Sequence, residues 1–241
     1  FTEGLTELGQ AAFQDCIRFE SLVLPQSLKT AGWYTFKGCT ALSDVRLGNG
    51  MPAVAAYMFA DCTALKSIVL PDSVTTVEWG AFRGCTALES ITYGLKVKEV
   101  AGYAFGDCVS LKQIQMPDGA TAYSRALYID CLGLTSLIVG KNVTRIEESA
   151  FRRAKNLQWV VIGKQVTDLG MEAFSSCDSL EYVFYEGTKE EFDRINILFD
   201  YLEEGYMITS PLDISNAKLC YYSETEQAGC WRYVDGVPTL W

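Results

Sequence analysis

The chain has 241 residues, 49% of them hydrophobic, and a formal charge of -10 with a pI near 4.6. That composition supplies a sizeable core, while the acidic balance argues against nucleic acid and anionic membrane as partners, since both are held through excess Lys and Arg. No apolar run reaches the roughly 18 residues of a membrane span, and the absence of histidine removes the commonest general base, the commonest metal ligand and every Ser-His or Cys-His dyad.

The first residues form half a unit. "GLTELGQAAF" at residues 4–13 supplies Leu5 and Leu8 ahead of Phe13, which fits only the second half of the units that follow. The chain therefore enters mid-coil. With Phe1 in place of Met and no signal segment, it is expected to be a mature or excised piece preceded by a cap or by further repeats.

From Phe13 onward a 23-residue unit recurs eight times without an insertion. A large aromatic opens each unit, at Phe13, Phe36, Phe59, Phe82, Phe105, Tyr128, Phe151 and Phe174. Three residues on stand Cys16, Cys39, Cys62, Cys85, Cys108, Cys131, Ala154 and Cys177. A leucine slot follows (Leu42, Leu65, Leu88), then one for Val, Ile or Leu (Val45, Ile68, Ile91), then a third at Leu24, Leu47, Leu70, Tyr93, Met116, Val139, Ile162 and Tyr185. This L-x-x-I-x-L pattern predicts a short strand with alternate residues turned inward. Pro25, Pro71 and Pro117, or Gly48, Gly94, Gly140 and Gly163, end it, and a second apolar pair such as Val74 and Val77 precedes the next aromatic.

A unit this short cannot bury its own face, so neighbours must stack and share one core. The expected fold is a β-rich solenoid, with coils advancing by roughly 4.8 Å, parallel sheet along one side and an aromatic ladder inside. The cysteines are expected to be reduced, buried filler. Metal ligation needs converging ligands, typically a C-x-x-C pair, and the chain has none. Stacked equivalents would stand parallel, just beyond disulfide reach. A cysteine nucleophile is disfavoured because no histidine can activate it, and 30 acidic residues make carboxylate pairs at glycosidase spacing inevitable by chance. No catalytic residue, metal or cofactor is assigned.

Lys189 fills an apolar slot, so the solenoid is expected to occupy residues 1–187 and a C-terminal cap residues 188–241. Thr188 and Glu191 make a capping box for a short helix whose apolar face is Phe192, Ile195 and Phe199, placed to close the open end of the core. Residues 217–241 alternate, with "GC" and "DG" punctuation, and predict a terminal hairpin. Cys220 and Cys230 fall on its two arms and form the one plausible disulfide.

The repeated phrase "AF.GCTALKSI.LPDSVTTV...AF" resembles the leucine-rich repeats of the BspA-like surface proteins of gut and oral bacteria. "YEGTKEEFDRI" and "YYSETEQAGCWRYVDGVPTLW" are similar to segments that follow the last repeat in bacterial members. Arg232 departs from the usual His, and Cys220 and Cys230 stand where aromatic residues are common. The resemblance implies a leucine-rich repeat fold: a right-handed coil of eight 23-residue repeats with a parallel sheet and a C-terminal α/β cap. It also implies an exported protein, extracellular or at the cell surface, that adheres to a host or microbial surface protein or glycan without catalysis. A structural spacer within a longer surface protein and a glycan-active or glycan-binding protein are the alternatives. The chain is expected to be a monomer without membrane insertion.

The outward strand positions are free to vary. One stripe reads Val23, Arg46, Val69, Thr92, Gln115, Ile138, Val161 and Phe184, and its neighbour ends in Ser136, Trp159 and Tyr182. Both turn apolar and aromatic towards the C-terminus, so Ile138, Trp159, Val161, Tyr182 and Phe184 are the candidate binding residues. Two outcomes stand open: an exposed binding surface, or coverage by the C-terminal segment.

Overall fold

A computed structural model describes residues 1–198 and 217–241. The alternation read in each unit becomes a short strand with its middle residue buried and its ends exposed, as in Ser21–Val23, Asp44–Arg46 and Ser67–Val69. These strands pair in parallel with the residue 23 positions on: Leu22 lies beside Val45, Ile68 beside Ile91, and Leu137 beside Val160. The second apolar pair also becomes strand. Ala53–Val54, Thr76–Val77 and Glu99–Val100 form a parallel ladder on the other layer, as do Ala122–Tyr123, Arg145–Ile146 and Asp168–Gly170. The result is a parallel β-solenoid of about eight turns with almost no helix.

Two bends carry each coil from the second layer back to the first. Both need left-handed backbone. The residues two before and two after every ladder aromatic have φ between 50° and 74°, from Ala11 and Asp15 through to Glu172 and Ser176. This region excludes most side chains and admits Gly, Asp and Asn, and the later bend accordingly carries Asp15, Gly38, Asp61, Gly84, Asp107 and Asp130.

Inside, the aromatic slots form a continuous stack. Seven successive ring pairs from Phe13–Phe36 to Phe151–Phe174 have centroids 5.3 to 5.7 Å apart and planes within 12° of parallel. The cysteines beside them do more than fill space. Each thiol from Cys39 to Cys131, and that of Cys177, donates to the carbonyl of the ladder aromatic one coil back, at 3.1 to 3.3 Å for Sγ to O. An S–H group is small enough for the slot and supplies a donor that Ala154 lacks.

Burial raises these thiols, those of Cys85 and Cys177 to about 12 from an ordinary 9.0. Desolvation is the first cause, and it moves Cys39, Cys108 and Cys131 in the same direction. The folded chain thus holds protons that the unfolded chain releases above the ordinary thiol value, so stability is full below about pH 9 and falls as pH rises towards 12. Each such thiol removes about 1.4 kcal/mol per pH unit in that window. A base titration followed by circular dichroism is expected to show cooperative unfolding soon above pH 9. Retention of the native spectrum to pH 12 would contradict thiol burial.

One coil departs from the pattern. Residues 111–117 carry the strand signature but form no strand, and residues 112–116 make no backbone hydrogen bond to the coils on either side among the described residues. Three tyrosines meet in the core beneath them. Tyr93, Tyr123 and Tyr128 occupy slots that hold Leu, Val and Phe in other coils, the Tyr93 and Tyr128 hydroxyls meet at 3.5 Å, and Tyr128 reaches Met116 Sδ at 3.7 Å. Extra volume in a close-packed core is relieved by backbone displacement.

The C-terminus differs from expectation in three ways. First, the coil continues past Lys189: Asn196–Leu198 pairs with Asp168–Gly170, and Lys218–Tyr222 pairs with Tyr182–Tyr185, both in parallel. Thr188 does form its capping box with Glu191, but the helix is one turn, Lys189–Phe192. Its Phe192 packs against Tyr185 at 5.2 Å, and Phe192 and Ile195 are partly buried against the main core. Phe199 lies outside the described residues. Second, Lys218–Tyr222 and Cys230–Val234 are parallel, not arms of a hairpin; the hairpin is Cys230–Val234 with Val237–Leu240, turned at Asp235 and Gly236 with φ of 49° and 79°. Third, Cys220 and Cys230 are both free thiols.

Candidate functional site

The strand layer from Ser136 to Tyr222 gathers the candidate residues on its outward face. Pairing sets Ser136, Trp159, Tyr182 and Lys218 in one row, and Ile138, Val161, Phe184 and Cys220 in the next. The second row is mostly covered. Val161 and Phe184 are 1% and 4% exposed, and with Cys220 and Trp231 they make a small apolar cluster separate from the main core. This corrects the reading of Val161 and Phe184 as open binding residues. Cys220 stands opposite Phe184 with a short side chain, so Trp231 reaches past it to 5.2 Å from the Phe184 ring. The Trp231 indole N–H donates to the Tyr185 carbonyl at 3.0 Å, and Tyr233 closes over it at 4.9 Å. The Tyr233 hydroxyl in turn donates to Glu186 at 2.7 Å; burial and this acceptor hold the phenol well above its ordinary range.

Three candidates remain accessible. Ile138 is 46% exposed, and Trp159 and Tyr182 are half-buried at the margin of the cluster. Ile138 and Trp159 border a groove of about 630 Å³ that opens where residues 112–116 leave the sheet. Its floor and walls come from Ser90, Ile91, Gln113, Gln115, Ser136, Ile138 and Trp159, with Glu89 and Lys112 at one side. The strand edges of Ser90–Thr92 and Ser136–Ile138 face it from opposite sides, each without a strand partner there among the described residues. Polar amides over an apolar floor, bounded by unpaired main chain, can hold an extended segment through backbone hydrogen bonds.

Gln113, Gln115 and Glu89 are groove residues that periodicity alone does not single out. The signal available was the cluster of tyrosines in neighbouring core slots, which marks the coil where regular stacking fails. Trp231 was likewise legible only as part of a terminal strand.

A stack of short two-layered coils with a parallel strand face and a strand cap is a leucine-rich repeat solenoid. The BspA type leucine rich repeat region matches residues 1–108 and 80–197 in six copies, and the chain belongs to that family. Solved structures agree in fold. A leucine-rich repeat protein from Bacteroides ovatus superposes with a TM-score of 0.67 at 23% identity, covering 90% of this chain and 59% of that one. The T. pallidum leucine rich repeat protein gives 0.57 at 24% identity over 76% and 78% of the two chains. A leucine rich cell surface protein from Faecalibacterium prausnitzii gives 0.55 at 18% identity over 79% and 72%. No curated protein matches the chain.

Proposed function

We propose that the chain is a non-catalytic interaction module, secreted or displayed on a bacterial surface, that adheres to a host or microbial surface protein. The observation that carries this reading is the groove beside Ile138 and Trp159, where two strand edges face an opening in the sheet. An extended segment of a partner would add main-chain hydrogen bonds to those edges and rest an apolar side chain against the Trp159 indole, an arrangement in which backbone pairing gives affinity and the aromatic anchor gives selectivity. Parallel strands hold these groups at fixed spacing, so little ordering entropy is lost on binding. The F. prausnitzii protein of the same fold is a cell surface protein, which supports the location.

The test is adhesion of beads coated with the chain to epithelial monolayers and to immobilised bacteria. Changing Ile138 and Trp159 together to Ser is expected to reduce capture at least tenfold, while the melting temperature moves little because both side chains are already partly solvated. Undiminished capture by the double variant would overturn the assignment of the groove.

A further inference from the structure

Outside the core a second aromatic row runs along the turns that join the two strand layers. In the slot three residues ahead of the ladder aromatic, successive coils carry Trp33, Ala56, Trp79 and Gly102. The two indoles are 57% and 41% exposed. A small residue follows each indole in the row, Ala56 after Trp33 and Gly102 after Trp79, and the Trp79 ring lies over Gly102, where an added Cβ would meet its Cζ3 at 2.8 Å. In the adjoining slot Tyr34 stacks on Tyr57 at 5.2 Å and 16°, and Tyr103 packs against Trp79 at 5.2 Å. These tyrosines sit at φ of 62°, 54° and 57°, backbone that suits the glycine found at the equivalent Gly80. The same left-handed φ recurs at this slot in every coil, and in these three the side chain it carries is a tyrosine beside the indole row.

We propose that this edge is a binding site for a neutral β-1,4-linked oligosaccharide of all-equatorial pyranoses, lying along the solenoid axis. Two coils at about 4.8 Å each set Trp33 and Trp79 about 10 Å apart. An extended β-1,4 chain turns the same ring face outward at every second sugar, which is the same interval. All-equatorial hydroxyls leave axial C–H bonds on both faces of the pyranose, so each indole takes one sugar face while the sugar between them passes over Ala56. Lys37 and Arg83 lie over the flanking rings of Tyr34 and Tyr103 at 5.7 and 5.5 Å, where their remaining donors reach equatorial hydroxyls. The net charge of -10 disfavours an anionic polysaccharide, so the sugar is neutral. The row shares no residue with the sheet groove, so the two sites stand or fall separately.

The experiment is a tryptophan-fluorescence and calorimetric titration of the full chain with cellohexaose and with chitohexaose, using α-linked maltohexaose as the comparison. Saturable binding of at least one β-1,4 hexamer is expected, with a blue-shifted emission and negligible response to maltohexaose. Trp33→Ala, at the more exposed indole, is expected to weaken binding about tenfold or more without lowering the melting temperature. Trp79→Ala is expected to do the same with a small thermal shift, and Trp159→Ser to leave binding unchanged. Silence of the native chain towards both β-1,4 hexamers at millimolar concentration would overturn the proposal. So would equal binding of maltohexaose, unaltered affinity in Trp33→Ala, or a loss confined to Trp159→Ser.

Discussion

Replacing Phe82 with Ala is expected to destabilise the chain by about 3–5 kcal/mol, the largest effect of any single change in the ladder. Phe82 is fully buried, and its ring is stacked on Phe59 at 5.6 Å and on Phe105 at 5.5 Å, so the substitution removes packing from two coils besides its own. The cavity cannot fully collapse, because the coil is held by parallel pairing of Thr76–Val77 with both neighbours on the second layer and of Ser90–Thr92 with Ser67–Val69 on the first. A solenoid is held by nearest-neighbour contacts, so a break in the middle also uncouples the coils on either side. Urea denaturation should show a lower midpoint and a broadened or split transition. Phe13→Ala, at the partly solvated first coil, should cost less than half as much. Equal costs at Phe13 and Phe82 would mean that the stack is not cooperative.

Trp231→Ala is expected to have the second largest effect, about 3–5 kcal/mol, but with a different signature. The indole is fully buried, fills the space over Phe184 and Cys220, and satisfies the Tyr185 carbonyl. Its removal should lift the terminal hairpin and expose Val161, Phe184 and a strand edge, producing dye binding and self-association. Cys220, 4% exposed in the native chain, should become fast to alkylate. Tyr233→Phe, at a half-exposed hairpin position, should shift stability by no more than about 1 kcal/mol. Slow Cys220 alkylation in Trp231→Ala would show that something other than this indole covers the patch.

The inward slots were legible because each one repeats: a residue type that must touch its own copy in the next coil leaves a period in the sequence. Phe82, Cys85, Leu88 and Ile91 could be placed on that ground alone. What broke the period was not legible. Asp168 pairs with Asn196 and Tyr182 with Lys218, not with the residues 23 positions on. The paired positions are 28 and 36 residues apart, which keeps the pairing and erases the 23-residue period on which the expected end at Lys189 rested. The failure of strand 113–115 has the opposite cause. Its pattern is intact, and what sets this coil apart is the meeting of Tyr93, Tyr123 and Tyr128 from three different core slots, which no local pattern carries. The outward residues were correctly placed on one face, but the single row of Ile138, Val161 and Phe184 divides into open Ile138 and covered Phe184. That division depends on where Trp231 lands, some 47 residues after Phe184 in the chain. Trp33 and Trp79 share a slot that carries Ala56, Gly102, Arg125 and Glu148 in other coils, so a search for the residue types that recur every 23 positions passes over them.

Hydroxyl-radical footprinting of the native chain, read residue by residue at the aromatics, tests most directly which surface is available for binding. The account predicts rapid oxidation of Trp33 and Trp79, intermediate rates at Trp159 and Tyr182, and protection of Phe184 and Trp231 equal to that of the ladder residue Phe82. Oxidation of Phe184 and Trp231 as fast as Trp33 would contradict it, because the cap would then be unseated and the covered half of the strand face open.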